Sequence, residues 1–153
     1  MSELARTLER ITDGLTGESQ YLTDIDSVIL VRADQEKPPS HLLAKPALCV
    51  VAQGDKWTSF GSQRYRYGAG RALLVNVEMP SVGRVVQASA DKPFLGIIIA
   101  LDPYRLKATL KSLSALPSSV KAGANTSGAI VTAIDSGPLA QCILRLVQLL
   151  ETP

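Results

Sequence analysis

Short apolar runs separated by glycine-bearing turns fill residues 26–102. Runs of this length, rich in β-branched and aromatic residues and bounded by turn residues, are typical of β-strands. Seven strands are predicted, at residues 26–33, 47–53, 56–60, 64–67, 72–79, 82–90 and 94–102. The tight turns between them can be made by Gly54, Gly61, Gly68 and Gly70. The pattern predicts a mainly β domain, built as a sandwich or a barrel.

The order of polar and apolar residues along these strands predicts which side chains share a face and which faces are covered. The run 47–53 is apolar almost throughout, so both of its faces should be covered. In the next strand, alternation places Trp57 and Ser59 on one face. The opposite face then carries Lys56, Thr58 and Phe60. In the "RYRY" run that follows, the two tyrosines share one side and the two arginines share the other.

Amphipathic patterns at both ends of the chain predict helices. Ser2 can cap a first helix with its apolar positions at Leu4, Leu8, Ile11 and Leu15. Asp102 and Pro103 can open a second helix, and Ser136 can cap a terminal helix over residues 137–151. The length fits a single domain. Its expected parts are an N-terminal helix or arm (1–20), a β-barrel (21–102) and a helical C-terminal part (103–153).

The composition limits the classes of function. The 153 residues are 46% apolar and 20% charged, as in ordinary globular proteins. With 16 basic and 14 acidic residues the net charge is +2, which provides no large positive surface for nucleic acid. No apolar run approaches the roughly 18 residues of a membrane span, and the N-terminus lacks the apolar core of a signal peptide. The chain is therefore expected in the cytoplasm, without a membrane partner.

Residues that could carry metal or acid–base chemistry are sparse. His41 is the single histidine, whereas zinc or iron sites built from imidazoles need several. We therefore expect no metal and no cofactor. Cys49 and Cys142 each lie among apolar neighbours, which favours two reduced core cysteines. A metal-independent enzyme would need an acid and a base, for which Glu78, Tyr65 and His41 are the best available, and we expect no enzyme.

Aromatic and polar side chains on the strands are candidates for binding a small molecule. A concave β face lined by aromatic residues and a few polar groups is what a small-molecule pocket requires. Polar residues on otherwise apolar strands are Gln53, Asn76, Arg84 and Gln87. The lone tryptophan can equally be a packing residue. The predicted ligand-binding residues are Trp57, Tyr65, Tyr67, Gln53, Arg84 and His41.

The chain carries a series of motifs over residues 20–153: "LCVVAQG.K", "YRYGAG..LL", "V.MPSVGRVV.AS...PFLGI...LDP" and "LRLVQLLETP". In their order and spacing they resemble the N-terminal domain of AraC-type transcription regulators. The resemblance implies a cupin-like β-barrel, or double-stranded β-helix, with an N-terminal helix and C-terminal helices. It also implies that the domain senses an effector or mediates dimerisation, while a C-terminal domain with two helix-turn-helix motifs binds DNA.

The resemblance gives expectations for partners. These 153 residues do not include the helix-turn-helix half, so DNA contact is expected only through that absent domain. A small-molecule effector would contact the barrel near Trp57, Tyr65 and Tyr67. The apolar stripe of the terminal helix offers a homodimer contact or packs on its own barrel, and its residues are Leu139, Ile143, Leu146 and Leu150. The alternative to a sensor is a structural interaction domain that binds no effector.

Overall fold

The computed structural model describes residues 1–15, 20–112, 131–135 and 137–152. The helices within these ranges are α1 (Glu3–Thr12), α2 (Pro103–Ser112) and α3 (Gly137–Gln148). The strands are β1 (Tyr21–Leu22), β2 (Val28–Ala33), β3 (Ser40–Ala44), β4 (Ala47–Gln53), β5 (Asp55–Phe60), β6 (Gln63–Gly68), β7 (Arg71–Val75), β8 (Met79–Gln87), β9 (Phe94–Ala100) and β10 (Val131–Asp135).

The described strands form two antiparallel sheets. Sheet A has the strand order β1-β2-β9-β4-β7-β10, and sheet B has the order β3-β8-β5-β6. In the centre of sheet A, Ala47 of β4 lies opposite both Val75 of β7 and Ala100 of β9. The sheets, together with helices near both ends of the chain, confirm the mainly β fold class that the sequence predicts.

One hydrophobic core fills the space between the two sheets. Sheet A contributes buried residues such as Val51, Leu73 and Phe94, and sheet B contributes Phe60 and Tyr67. Full burial of one such side chain contributes about 1.5–3 kcal/mol to folding. This core fixes which face of sheet B is interior, and every side chain on β5 and β6 is placed accordingly.

The alternation predicted for β5 and β6 is confirmed. Thr58 and Phe60 are buried, and Lys56 lies on the same face. Trp57 and Ser59 lie on the outer face of sheet B and are only partly buried. On β6 the two tyrosines pack towards the core, while the two arginines are exposed.

A second core covers the outer face of sheet A. Helices α1 and α3 pack there, and Leu8, Ile143 and Val147 are almost fully buried against the sheet. Val50 faces this helical layer, whereas its neighbour Val51 faces the core between the sheets. Both faces of β4 are therefore covered, as its continuous apolar run predicts.

Two of the predicted helix starts are confirmed. The Ser2 hydroxyl accepts a hydrogen bond from the backbone N–H of Ala5 (3.1 Å), which caps α1. The Asp102 carboxylate accepts from the N–H of Tyr104 (2.9 Å) at the start of α2. The third predicted cap, Ser136, lies outside the described residues.

The prediction of a single strand over residues 72–79 is wrong. Strand β7 ends at Val75 in sheet A and β8 begins at Met79 in sheet B, so the chain passes between the sheets over residues 76–78. Apolar periodicity reports burial but does not show which sheet a strand joins. The sequence analysis also missed β3, because this edge strand is mostly exposed and prolines precede and follow it.

Helix α2 lies apart from both cores. Its side chains are exposed wherever they are described, and they include Tyr104 at 87% and Leu106 at 47% exposure. None of the helices in the described part of the chain is long and apolar enough to cross a membrane.

Candidate ligand-binding site

A cleft of about 1150 Å³ lies at one end of the sandwich, and we call it the rim cleft. One wall is made by three turns of the sandwich, at residues 53–55, 68–70 and 87–92. The other wall is made by residues 1–4 and by the first turns of α3 at Ala140, Gln141 and Leu144. A volume of this order is typical of small-molecule sites.

The turns of the sandwich are held together by backbone contacts. The N–H of Ala69 donates to the carbonyl oxygen of Gly54 (3.2 Å), and the N–H of Gly70 donates to that of Val51 (3.2 Å). Gly54 has a φ of +89°, and a Cβ there would lie 2.7 Å from the carbonyl oxygen of Gln87. Only glycine satisfies both the conformation and this close approach. The wall of the cleft is thus a fixed arrangement of backbone.

Two polar side chains of β4 and β5 stand in this wall. Gln53 is 4% exposed, and its amide nitrogen donates to the carbonyl oxygen of Pro93 (2.8 Å). The Oδ2 atom of Asp55 accepts from the guanidinium of Arg66, at 2.7 Å from both Nε and Nη2. The Oδ1 atom of Asp55 is buried without a hydrogen-bond partner among the described residues. A Cβ on Gly68 would lie 3.2 Å from this oxygen.

The remaining lining combines charge with apolar surface. Carboxylates are contributed by Glu3, Glu36, Asp55 and Asp91, against the ammonium of Lys92 and the amino group of Met1. The apolar residues of the lining come from all the packed layers, namely Leu4, Val51, Ala52 and Leu144. A ligand in the cleft would therefore touch the sandwich and both helical ends at once.

A separate polar group, Lys56, lies on the inner face of sheet B and is partly buried. The ammonium nitrogen of Lys56 is 5.8 Å from the centroid of the Tyr67 ring. Burial lowers the pKa of Lys56, against a smaller opposing effect of Cys49. Burial raises the pKa of the Cys49 thiol, and it also raises the pKa of the Tyr67 hydroxyl, with a further increase from Cys49. Lys56 is thus an amine whose charged form the fold disfavours.

The six residues predicted to bind a ligand fall in three different places. Tyr65 and Tyr67 face the core between the sheets. Gln53 stands in the wall of the rim cleft. The other three residues lie on sheet B away from that core, and they are Trp57, Arg84 and His41.

The three residues on the outer face of sheet B have contacts of their own. The guanidinium carbon of Arg64 lies 3.9 Å from the centroid of the Trp57 ring, which is a stacked cation–π arrangement. Nε of Arg84 donates to the carbonyl oxygen of Lys37 (3.0 Å). His41 is exposed on the edge strand β3, beside a shallow groove of about 420 Å³. These contacts account for Trp57 and Arg84 as packing and bridging residues.

The sequence analysis did not single out Asp55 and Lys56. A turn aspartate after a glycine is usually solvated, so nothing in the local sequence marks Asp55 as buried. Lys56 could have been found, because it alternates with Thr58 and Phe60 and therefore shares their face. The deciding observation, that this face is interior, comes only from the packing of the two sheets.

The stripe of α3 that the sequence offered for dimer contact is covered within the chain. Ile143 is 2% exposed, and Leu139, Leu146 and Leu150 are partly buried against the same core. The arrangement is the one in which the helix packs on its own sandwich. Cys142, which the sequence placed in the core, is exposed, because it lies on the outward side of this helix.

The groups proposed for metal or acid–base chemistry do not meet. Glu78 is exposed in the connection between β7 and β8, His41 is exposed at the edge of sheet B, and Tyr65 faces the core between the sheets. Among the described residues, no three histidine, cysteine, aspartate or glutamate side chains are grouped as metal ligands.

The comparisons with known proteins agree with the resemblance read from the motifs. Residues 24–153 match the family described as the AraC-type transcriptional regulator N-terminus. The chain therefore belongs to this family, which is a family of regulatory domains and not of enzymes. No curated protein matches the chain significantly.

Two solved structures show a weak likeness to part of the chain. One is a cupin-2 domain protein from Shewanella frigidimarina NCIMB 400, with a TM-score of 0.41, 13% identity, and coverage of 61% of this chain and 90% of that one. The other is Drosophila melanogaster CENP-C bound to CAL1, with a TM-score of 0.41, 11% identity, and coverage of 63% and 96%. Neither likeness is strong enough to bear on the fold or on the function of this chain.

Proposed function

We propose that this chain is the effector-binding and dimerisation domain of an AraC-type transcription regulator, acting on DNA through a C-terminal domain of that regulator. The observation that carries the proposal is the rim cleft, whose walls come from the sandwich and from both α1 and α3. N-terminal domains of this family commonly bind effectors and dimerise.

The position of the cleft allows a bound ligand to act on helix α3. In the proposed regulator, α3 would lie between this domain and the C-terminal DNA-binding domain. Ala140 and Leu144 of this helix line the cleft, so a ligand can favour one position of α3 over another. Only a difference in affinity between two arrangements can shift their populations. A ligand that contacted the sandwich alone would have no such effect on α3.

The test is ligand-dependent stability of the purified chain, followed by NMR. A small molecule at 100 times its dissociation constant raises the free energy of unfolding by about 2.7 kcal/mol. This increase shifts the Tm of a domain of this size by several degrees. A library of metabolites can therefore be screened by its effect on the Tm. The expected result is a stabilising ligand whose amide shifts map to the rim cleft and to α3. A library without any stabilising member would remove the support for a sensor.

A second function is favoured by α2. Tyr104 and Leu106 expose apolar surface on a helix that packs on neither core. A second copy of the chain, related by a two-fold axis, would bury these residues against their own counterparts. In this case the domain is a dimerisation module even without an effector. Its mass in solution decides this, because a monomer at micromolar concentration would contradict it.

A further inference from the structure

We infer that the outer face of sheet B is a contact surface for the phosphate backbone of duplex DNA, through Arg64, Arg66 and Arg84. The inference rests on the part of the proposed function that places this chain in a regulator acting on DNA. It adds a second contact to the one made by the C-terminal domain of that regulator. It is carried by the distribution of charge in sheet B, by the exposure of this face and by the spacing of its arginines.

The four strands of sheet B contain several basic residues and a single carboxylate. The bases are Arg64 and Arg66 on β6, Arg84 on β8 and Lys56 on β5, and the carboxylate is Asp55. All the other acidic residues of the chain lie outside these strands. The net charge of +2 predicts no positive surface for nucleic acid, because a sum over the chain does not show where the charges lie. The fold brings three arginines together on one face.

Strand pairing places these three arginines around Trp57. Trp57 lies opposite Arg66 of β6 and Arg84 of β8, so the three side chains share the outer face. The guanidinium carbon of Arg64 lies 3.9 Å from the centroid of the Trp57 ring. Strand spacings of roughly 4.8 Å between neighbours and roughly 6.6 Å for two residues along a strand keep the three arginine Cα atoms within roughly 12 Å. Phosphates of one DNA strand follow every roughly 3.4 Å along the helix axis, so about three of them come within reach.

This face is open to solvent in the part of the chain that the structure describes. Its apolar residues Trp57 and Val82 belong to neither of the two cores that the described residues form. Arg64 is exposed, and the side chain of Arg66 is 69% exposed. Exposed, hydrated arginines are sufficient for a duplex, because the free energy of binding comes from the counterions that the phosphates release. A polyanion therefore needs no enclosed pocket on this face.

Each guanidinium keeps donors for a phosphate. Nε of Arg64 and Nε of Arg84 each donate to one oxygen of a neighbouring residue, at 3.1 and 3.0 Å. Nε and Nη2 of Arg66 lie 2.7 Å from the carboxylate of Asp55. Since a guanidinium has five N–H donors, these contacts leave both Nη groups of Arg64 and Arg84 and Nη1 of Arg66 for phosphate oxygens. Asp55 offsets the charge of Arg66, so Arg64 and Arg84 should contribute more to binding.

The proposed regulator favours DNA over an acidic protein as the occupant. Its C-terminal domain would hold a duplex in the same complex, and a linked second contact has an effective concentration in the millimolar range. A contact with a dissociation constant of about 10⁻⁴ M, at the weak end of non-specific binding, would then be largely occupied. An acidic protein segment could match the charge of the face, but the proposed function brings no such segment to it.

The first experiment measures duplex binding by the unmodified chain. A short duplex of mixed sequence carrying fluorescein is titrated with the chain at low salt, and anisotropy is recorded. We expect a dissociation constant of about 10⁻⁴ M that weakens with salt, with a slope of log K against log salt between about −2 and −3. Trp57 is the only tryptophan, and its emission should change on binding. Absence of binding, or binding that leaves this emission unchanged, would overturn the inference.

Poly-glutamate of matched charge is the competitor that distinguishes a phosphate backbone from an acidic protein. Planar guanidinium groups match phosphate in a bidentate geometry, and a duplex carries the denser charge, so the duplex should bind more tightly at every salt concentration. Equal or tighter binding of poly-glutamate would assign the face to an acidic protein partner and would contradict the inference.

Matched arginine variants test the face itself. Arg64→Gln and Arg84→Gln should each weaken duplex binding by about 3-fold and reduce the salt slope by about 1, because each removes one phosphate contact. Arg105→Gln on α2 removes the same charge from a side chain that is 83% exposed, and it should change the affinity by less than about 2-fold. The Tm of each variant controls for folding. Equal losses in all three variants would mean that binding follows net charge alone, and the inference would fail.

The results also separate this inference from the proposed sensing function, because the metabolite screen contains no DNA. If a metabolite stabilises the chain but no duplex binds, the inference fails and the sensor remains. If the duplex binds through the arginines and no metabolite stabilises the chain, the DNA contact stands and the support for a sensor is removed.

Discussion

The ammonium nitrogen of Lys56 lies 5.8 Å from the centroid of the Tyr67 ring, on the inner face of sheet B. A lysine rarely occupies such a place, because burial penalises its charged form. The neighbouring Cys49 offsets only a small part of this cost, since burial also raises the pKa of its thiol and favours its neutral form. Lys56 should therefore lower the stability of the domain at neutral pH.

Lys56→Met is expected to raise the free energy of unfolding at pH 7 by about 1 kcal/mol, because it replaces a partly buried amine with an apolar side chain of similar length. The pKa of Lys56 is lowered from its ordinary value of 10.5, so the folded chain loses this proton before the unfolded chain does. Between the folded pKa and 10.5, stability due to Lys56 rises with pH. The gain from Lys56→Met should thus shrink as pH approaches 10.5.

Urea unfolding of both proteins across this pH range measures the effect. The matched control is Lys107→Met on the exposed surface of α2, which should change stability by less than about 0.5 kcal/mol. If Lys56→Met destabilised the domain at pH 7, the amine would instead be making a favourable contact inside the sandwich.

Gly54 and Gly61 provide a comparison between two glycines of positive φ. Both adopt the left-handed region, at +89° and +59°, so alanine at either position costs about 1–2 kcal/mol in backbone strain. A Cβ at Gly54 would also lie 2.7 Å from the carbonyl oxygen of Gln87 and 2.9 Å from the ring of Phe94, whereas a Cβ at Gly61 would meet nothing within 4 Å. Gly54→Ala should therefore lose clearly more stability than Gly61→Ala, as measured by urea unfolding. Equal losses would show that the wall of the rim cleft adapts freely.

Trp57 makes an outer-face contact that fluorescence can report. It is the only tryptophan in the chain, and the guanidinium of Arg64 stacks 3.9 Å from its ring centroid. Arg64→Ala should shift the emission of Trp57 to longer wavelength, because the ring becomes more hydrated, and should cost no more than about 1 kcal/mol. Arg71→Ala, an exposed arginine on β7, serves as the control and should leave the emission unchanged. Unchanged emission in Arg64→Ala would mean that the stack does not form in solution.

The sequence predicted which side chains share a strand face, but it did not predict where those faces lie in the fold. Alternation gave the correct grouping of Tyr65 with Tyr67 and of Trp57 with Ser59, because strand geometry alone determines which side chains share a face. It could not say which face is interior, since that follows from the packing of sheet B on sheet A. The predicted ligand residues were therefore drawn from both faces, and the structure separates them.

Only some of the residues that line the rim cleft could be identified from the sequence. Gln53 and Gln87 were noted as polar residues on apolar strands, and both line the cleft. The local sequence does not single out Asp55, because the position of its carboxylate depends on Gly68 at the β6–β7 turn, 13 positions further along the chain. Sites built from several turns depend on contacts between distant segments, and local patterns do not contain them.

Replacing a leucine by aspartate is expected to have opposite effects on stability in α2 and in α3. Leu146→Asp places a charge against the core between α3 and sheet A, so the domain should lose several degrees of Tm. Leu106→Asp acts on an exposed side chain of α2 and should leave the Tm nearly unchanged. If the second copy of the chain packs on α2, Leu106→Asp alone should convert the dimer to a monomer in analytical ultracentrifugation. The reverse outcome, a Leu146→Asp chain that keeps its Tm but becomes monomeric, would instead make the α3 stripe the dimer interface and would require that helix to leave its own sheet.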